Sequence, residues 1–217
     1  MRPTASPRSP GRSHHVVAGS CGDGYREPVP LLDADDPLPG RPHRVLVAGT
    51  SGSGKTTVAR RIARVLGVPH VEIDALFHGP DWTRRETFEA DVDRFSAGPA
   101  WVTEWQYRQV RGVLAERADL LVWLDLPRAT VMRQVIARTL RRTLRREALW
   151  NGNVEPPLRT VFTDSEHIVR WAWTTHRASA RRVVALRAED PELVVVRLKS
   201  RNAVGRWLAG PLRSAAS

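Results

Sequence analysis

From residue 43 onward, apolar residues come in short dense runs separated by longer amphipathic stretches. "HRVLVAG" (43–49) is an apolar run closed by glycine, the pattern of a strand buried on both faces. In "GKTTVARRIARVLG", Val58, Ile62 and Val65 fall at i, i+4 and i+7, with Ala59, Ala63 and Leu66 beside them. That spacing predicts an amphipathic helix, ended by Gly67 and Pro69. "PHVEID" (69–74) predicts a second strand, "RRETFEADVDRF" (84–95) a helix and "AWVTE" (100–104) a third strand. A helix around 107–117, a fourth strand in "DLLVWLDLP" (119–127) and a long helical pattern over 128–149 follow. One or two helices over 158–188, a fifth strand in "ELVVVRL" (192–198) and a closing helix (202–209) complete the series.

Strands alternating with helices imply parallel βαβ units. The predicted architecture is a three-layer α/β/α domain over 42–210 with a five-stranded parallel sheet. Ligands bind beyond the carboxyl ends of strands in such sheets, which gathers the loops after residues 49, 74, 104, 125 and 198 at one edge. Residues 1–41, rich in Pro, Gly, Ser and Asp without apolar periodicity, read as a disordered tail. The first twenty have a loose likeness to a transit peptide, and a downstream start codon accounts for them equally well. Residues 211–217 read as a second, short tail.

Composition narrows the class. A length of 217 residues suits one domain, and 41% hydrophobic with 26% charged residues is ordinary for a globular chain. The single cysteine, Cys21, excludes an intrachain disulfide, so a cytoplasmic setting is expected. No apolar run approaches the roughly 18 residues of a membrane helix. The net charge of +11 suits an anionic partner: nucleic acid, a membrane surface or a small substrate. Of 34 Lys+Arg only Lys55 and Lys199 are lysines. Codon bias explains the arginine excess and makes Lys55 stand out.

Lys55 lies in "GTSGSGKTT" (49–57), where Gly49, Gly54, Lys55 and Thr56 satisfy G-x-x-x-x-G-K-[ST]. Backbone N–H groups along Ser51, Gly52, Ser53, Gly54 and Thr57 then turn toward an anion, helped by the positive end of the helix. Lys55 supplies a compact charge to the β- and γ-phosphates of ATP, a task the planar guanidinium does not duplicate. Thr56 offers a hydroxyl to Mg²⁺. No N-K-x-D segment reads guanine, since Lys199 sits in "LKSR". The chain is also short for an ATP-driven motor, which leaves a small phosphotransferase.

The blocks "GTSGSGKTTVARRIARVLGVPHVEIDAL", "DW" (81–82), "WVTEWQY" (101–107), "LVWLDLPRATVMRQVIARTLRR" and "VVVRLKSRNAVGRWL" carry a resemblance over about residues 43–210. The chain resembles the small P-loop kinases related to adenylate and shikimate kinases, and more narrowly the adenylate-kinase-like DNA topology modulation proteins. The resemblance implies a mobile lid, here about 133–160. It places Asp74 near the acceptor or the metal, and Glu104 in the metal's water shell. "E-W-Q-Y" (104–107) departs from the group's D-G-x-Y turn, with Trp105 in place of glycine. The resemblance also brings Ser200 to Asn202 near the adenine. Asp125, at the end of a hydrophobic strand, rivals Glu104 for the metal, while "D-L-P-R" reads equally as a helix start.

Between Arg128 and Arg146 there are seven arginines and no acid, with Arg138, Arg142 and Arg145 on one helical face. Three readings stand: Arg133, Arg138 and Arg142 as lid arginines on the transferring phosphoryl group, a nucleic-acid face, or a solvated face. Most of the eight tryptophans read as packing residues, with Trp82 or Trp105 near the small-molecule acceptor. His78 reads as a loop residue.

Overall fold

The structure is a computed structural model and describes residues 31–145 and 168–217; the side chains of 139–145 and 168–177 lie outside the description. Its strands are β1 (Leu31–Leu32), β2 (Arg44–Gly49), β3 (His70–Val71), β4 (Trp101–Glu104), β5 (Leu120–Leu124) and β6 (Val194–Leu198). Its helices are α1 (Lys55–Leu66), α2 (Ile73–Phe77), α3 (Phe88–Ser96), α4 (Arg111–Arg117), α5 (Arg128–Arg145), α6 (Ile168–Glu189), α7 (Arg201–Ala209) and α8 (Pro211–Ala216).

The strands form one sheet in the order β1-β6-β5-β2-β4-β3, every pairing parallel. β2 lies inside, with β4 on one side and β5 on the other. Its side chains alternate: Val45 and Val47 join one core with Ile62, Leu66, Val122, Val135 and Trp207. Leu46 and Ala48 join another with Ile73, Phe88, Leu114, Leu121 and Val183. Burial on both faces is why these strands are continuous apolar runs, and it confirms the three-layer α/β/α plan.

Four details differ from the expectations. The sheet has six strands, because Leu31 and Leu32 pair with Val195 and Val196. Residues 31–41 are therefore not tail: Ala34 is buried, and Arg41 donates to the Leu66 carbonyl at 2.7 Å. Nor are residues 211–217, since α8 buries Leu212 completely. Finally, β3 is only two residues long, and Asp74 sits in α2 instead of ending a strand. The Ile73 N–H donates to the Glu104 carboxylate at 3.2 Å, an anion at a helix start that favours helix over continued strand.

Candidate functional site

The turn between β2 and α1 is held by a Ser53 N–H to Thr50 carbonyl bond of 3.2 Å. Gly52 has φ +78° and Gly54, which precedes α1, has φ +93°, a region that costs other residues energy. At Gly52 space is also short: an added Cβ would lie 2.0 Å from Val135 Cγ2, so α5 packs directly on the loop. Gln134, in the amide orientation that satisfies both neighbours, donates to the Gly52 carbonyl at 2.8 Å and accepts from Arg201 Nε at 3.0 Å. One side chain thereby ties the loop to α5 and α7.

Lys55 is buried, and its ammonium donates to the Thr50 carbonyl at 3.2 Å. Burial pulls its pKa down to about 8; Asp74 and Glu104 act in the opposite direction, and Arg138 and Arg182 add to the lowering. Thr50 Oγ1 and Ser53 Oγ are buried without a hydrogen-bond partner in the same loop. Orphaned hydroxyls beside a buried ammonium suit an anion bearing oxygen acceptors, so these residues fit a nucleotide phosphate. Ser51 is half-buried and Thr57 faces solvent in the first turn of α1.

Glu104 ends β4 and is almost fully buried. It meets His70 Nε2 at 3.2 Å, the Ile73 N–H at 3.2 Å and the Thr56 hydroxyl. Burial alone would raise its pKa, but the hydrogen bonds from His70, Ile73 and Thr56 outweigh that and hold it below its ordinary value. Thr56 and Glu104 thus share one location, as a magnesium held by hydroxyl, carboxylate and water requires. Among the described residues no group of three His, Cys, Asp or Glu could hold a metal by itself. The rival Asp125 is engaged elsewhere: Arg197 Nε donates to its Oδ2 at 2.8 Å, and that guanidinium lies over the Trp123 ring at 4.7 Å.

Asp74 accepts from Gln106 Nε2 at 2.8 Å and from the Tyr107 hydroxyl at 2.7 Å. Burial pushes its pKa up, against the lowering effects of Tyr107 and Lys55. His78 lies 3.2 Å from the Tyr107 hydroxyl, and the exposed Trp82 ring stands edge-on to His78 with centroids 5.1 Å apart. Trp105 is pinned by its indole N–H to the Arg111 carbonyl at 3.1 Å.

The structure therefore gathers Lys55, Thr56, Asp74, Glu104 and Arg138 around the phosphate loop. Arg133 is exposed; Arg142 lies where side chains are not described, and so does most of the expected lid. Ser200 caps α7 by accepting from the Ala203 N–H at 3.1 Å, while Arg201 and Asn202 are exposed. Sequence reasoning missed His70, Gln106, Tyr107, Gln134 and Arg182. Gln106 and Tyr107 had a usable signal, their place just past a strand's carboxyl end. Arg182 had none, since it reaches Lys55 from α6.

No protein-family model matches the chain, and no curated protein matches it either. The DNA topology modulation family is thus not confirmed. Among solved structures, it is similar to a gluconokinase from Sinorhizobium meliloti 1021: 20% identity over 83% of this chain and 95% of that one, TM-score 0.44. A sugar kinase from Janibacter sp. HTCC2649 aligns at 22% identity over 87% and 99% of the two chains, TM-score 0.39. A shikimate kinase from Bacteroides thetaiotaomicron aligns at 16% over 77% and 95%, TM-score 0.40. At these TM-scores none of the likenesses bears on what the chain does. No helix among the described residues is long and apolar enough to cross a membrane.

Proposed function

We propose that this chain is a small P-loop phosphotransferase that uses ATP and Mg²⁺ to phosphorylate a small-molecule acceptor. One observation carries the reading: the buried Lys55 ammonium lies within electrostatic reach of two carboxylates, Asp74 and Glu104, which arrive from different elements. An ATP-binding module needs the lysine and one acid for the metal. The second, separately held acid has a role when an acceptor must be oriented as well.

In this reading Lys55 and the N–H groups and hydroxyls of residues 49–57 would hold the donor phosphates. Thr56 and Glu104 would hold the metal, directly or through water. Bound magnesium supplies charge neutralisation at the phosphate oxygens. Asp74 faces the acceptor, and Arg138, with Arg142 as a further candidate, offsets the negative charge of the transferring group.

The test is ADP release with Mg²⁺ and ATP across a panel of hydroxyl compounds and nucleoside monophosphates. Stimulation by one acceptor class, lost in Lys55→Ala together with ATP affinity, is expected. Unchanged ATP affinity in Lys55→Ala would sink the proposal. A second reading, a nucleic-acid-associated ATPase, draws on the acid-free arginine content of α5. It predicts acceptor-independent hydrolysis and DNA or RNA binding that weakens steeply with salt.

A further inference from the structure

The turn after β4 converges on one oxygen atom. The Trp105 N–H donates to the Val47 carbonyl at 2.9 Å, and the Gln106 N–H turns back to the Glu104 carbonyl at 3.0 Å. With the Trp105 indole fastened to the Arg111 carbonyl, the next two side chains are aimed at α2. Both reach the same atom, Asp74 Oδ1, at 2.8 and 2.7 Å. Among the described residues no hydrogen bond goes to Oδ2.

Reaching Oδ1 carries a conformational cost. Tyr107 has φ +56°, a left-handed conformation that is unfavourable for a bulky residue. Its ring is fixed by stacking on Phe77, centroids 3.9 Å apart at 16°, and by the edge of Phe88 at 5.2 Å. Its hydroxyl lies 2.7 Å from Asp74 Oδ1 and 3.2 Å from His78 Nε2, and the shorter contact to the carboxylate takes the hydroxyl proton. Strain of this kind persists where the surroundings over-determine it, and it clusters at working sites.

We propose that Gln106 and Tyr107 are positioning residues for Asp74, which fill Oδ1, fix the carboxylate and leave Oδ2 to accept the hydrogen bond of the acceptor. The acceptor's reacting group is then a hydroxyl, since a carboxylate oxygen repels the phosphate of a nucleoside monophosphate. What Oδ2 meets rests on the phosphotransferase reading; the holding of Oδ1 does not.

Tyr107→Phe keeps the ring and Gln106→Met keeps the length, each removing one donor; circular dichroism and melting confirm folding. The first measurement is NMR of the nucleotide-free protein with carboxyl-labelled aspartate, the Asp74 resonance assigned by its loss in Asp74→Asn. Losing a donor disfavours the ionised form, so the Asp74 midpoint rises in both variants. Lys55 and Glu104, which also act on it, are untouched by either change; Tyr107→Phe also removes the His78 contact, which Gln106→Met leaves in place. An unmoved midpoint in both variants overturns the proposal whether or not the protein transfers phosphate.

The second measurement is steady-state turnover. With a hydroxyl acceptor, kcat falls about tenfold in each variant while KM for ATP holds, and the acid limb of kcat/KM moves with the NMR midpoint. The double variant loses less than the product of the two, because the donors share an oxygen. Turnover of nucleoside monophosphates alone, or a change confined to KM for ATP, overturns it. If neither class stimulates ADP release, the phosphotransferase reading falls, while the NMR result still decides whether Gln106 and Tyr107 hold Asp74.

Discussion

Lys55 is where burial and charge compete most openly. Its pKa is pulled from 10.5 to about 8 by burial, so near pH 8 the free protein holds it partly neutral. Phosphate oxygens favour the charged form. Binding of magnesium nucleotide at about pH 8 therefore takes up protons, and the uptake fades below about pH 7, where Lys55 is already charged. Calorimetry in buffers of different ionisation enthalpy measures this directly; proton release, or no exchange, would count against it. Gly52 offers a steric counterpart. Gly52→Ala places a Cβ 2.0 Å from Val135 Cγ2 and keeps a φ of +78°, costing roughly 1–3 kcal/mol from overpacking and strain. Adding Val135→Ala relieves the clash and leaves the backbone cost, so melting recovers in part and ATP affinity follows it.

Elements explain which parts of the site could be read from sequence. β2 and α1 were legible with the phosphate loop between them, because a strand buried on both faces and an amphipathic helix each write a local period. Glu104 was legible as the end of β4 for the same reason. Asp74 was assigned to a strand because α2 starts on a bond from Ile73 to Glu104, thirty-one residues away, and no local pattern records that. The helix expected from 107 starts at Arg111 since Tyr107 takes a left-handed φ within the turn. The two acids at the strand ends on either side of β2, Glu104 and Asp125, are told apart only by their partners. Glu104 meets Thr56, whereas Asp125 is tied to Arg197. Glu104→Gln should thus raise the Mg²⁺ concentration needed for half-maximal activity several-fold. Asp125→Asn should leave that requirement alone and lower stability by about 1 kcal/mol, the scale of a partly exposed charged hydrogen bond. A magnesium titration of both variants checks the pair, and a shifted requirement in Asp125→Asn would reverse the assignment.

At the scale of the whole molecule, the segments beside the β6 edge act as a brace rather than as appendages. β1 lengthens the sheet at β6, and two ion pairs reach across from the same segment, Asp33 to Lys199 and Asp35 to Arg206. Exposed pairs of this kind contribute little individually. The larger contribution is the burial of Ala34 and Leu212 against the core that holds α1 and α7, with Arg41 closing over the end of α1 at Leu66. Neither segment has a period long enough to announce itself: two strand residues form only because β6 presents an open edge. A chain beginning at residue 43 should melt several degrees below one beginning at residue 31, since a loss of about 1–3 kcal/mol moves a domain of this size by about 2–4 °C per kcal/mol. Leu212→Ala should cost about 2–5 kcal/mol, as a fully buried leucine does. ATP affinity should change little in either case, because Lys55 and Thr56 begin α1 at the end opposite Leu66, where Arg41 closes it, and Glu104 is carried by β4. Thermal melting beside ATP titration separates the two roles. A loss of affinity without a loss of stability would assign residues 31–42 to the nucleotide site instead of the brace.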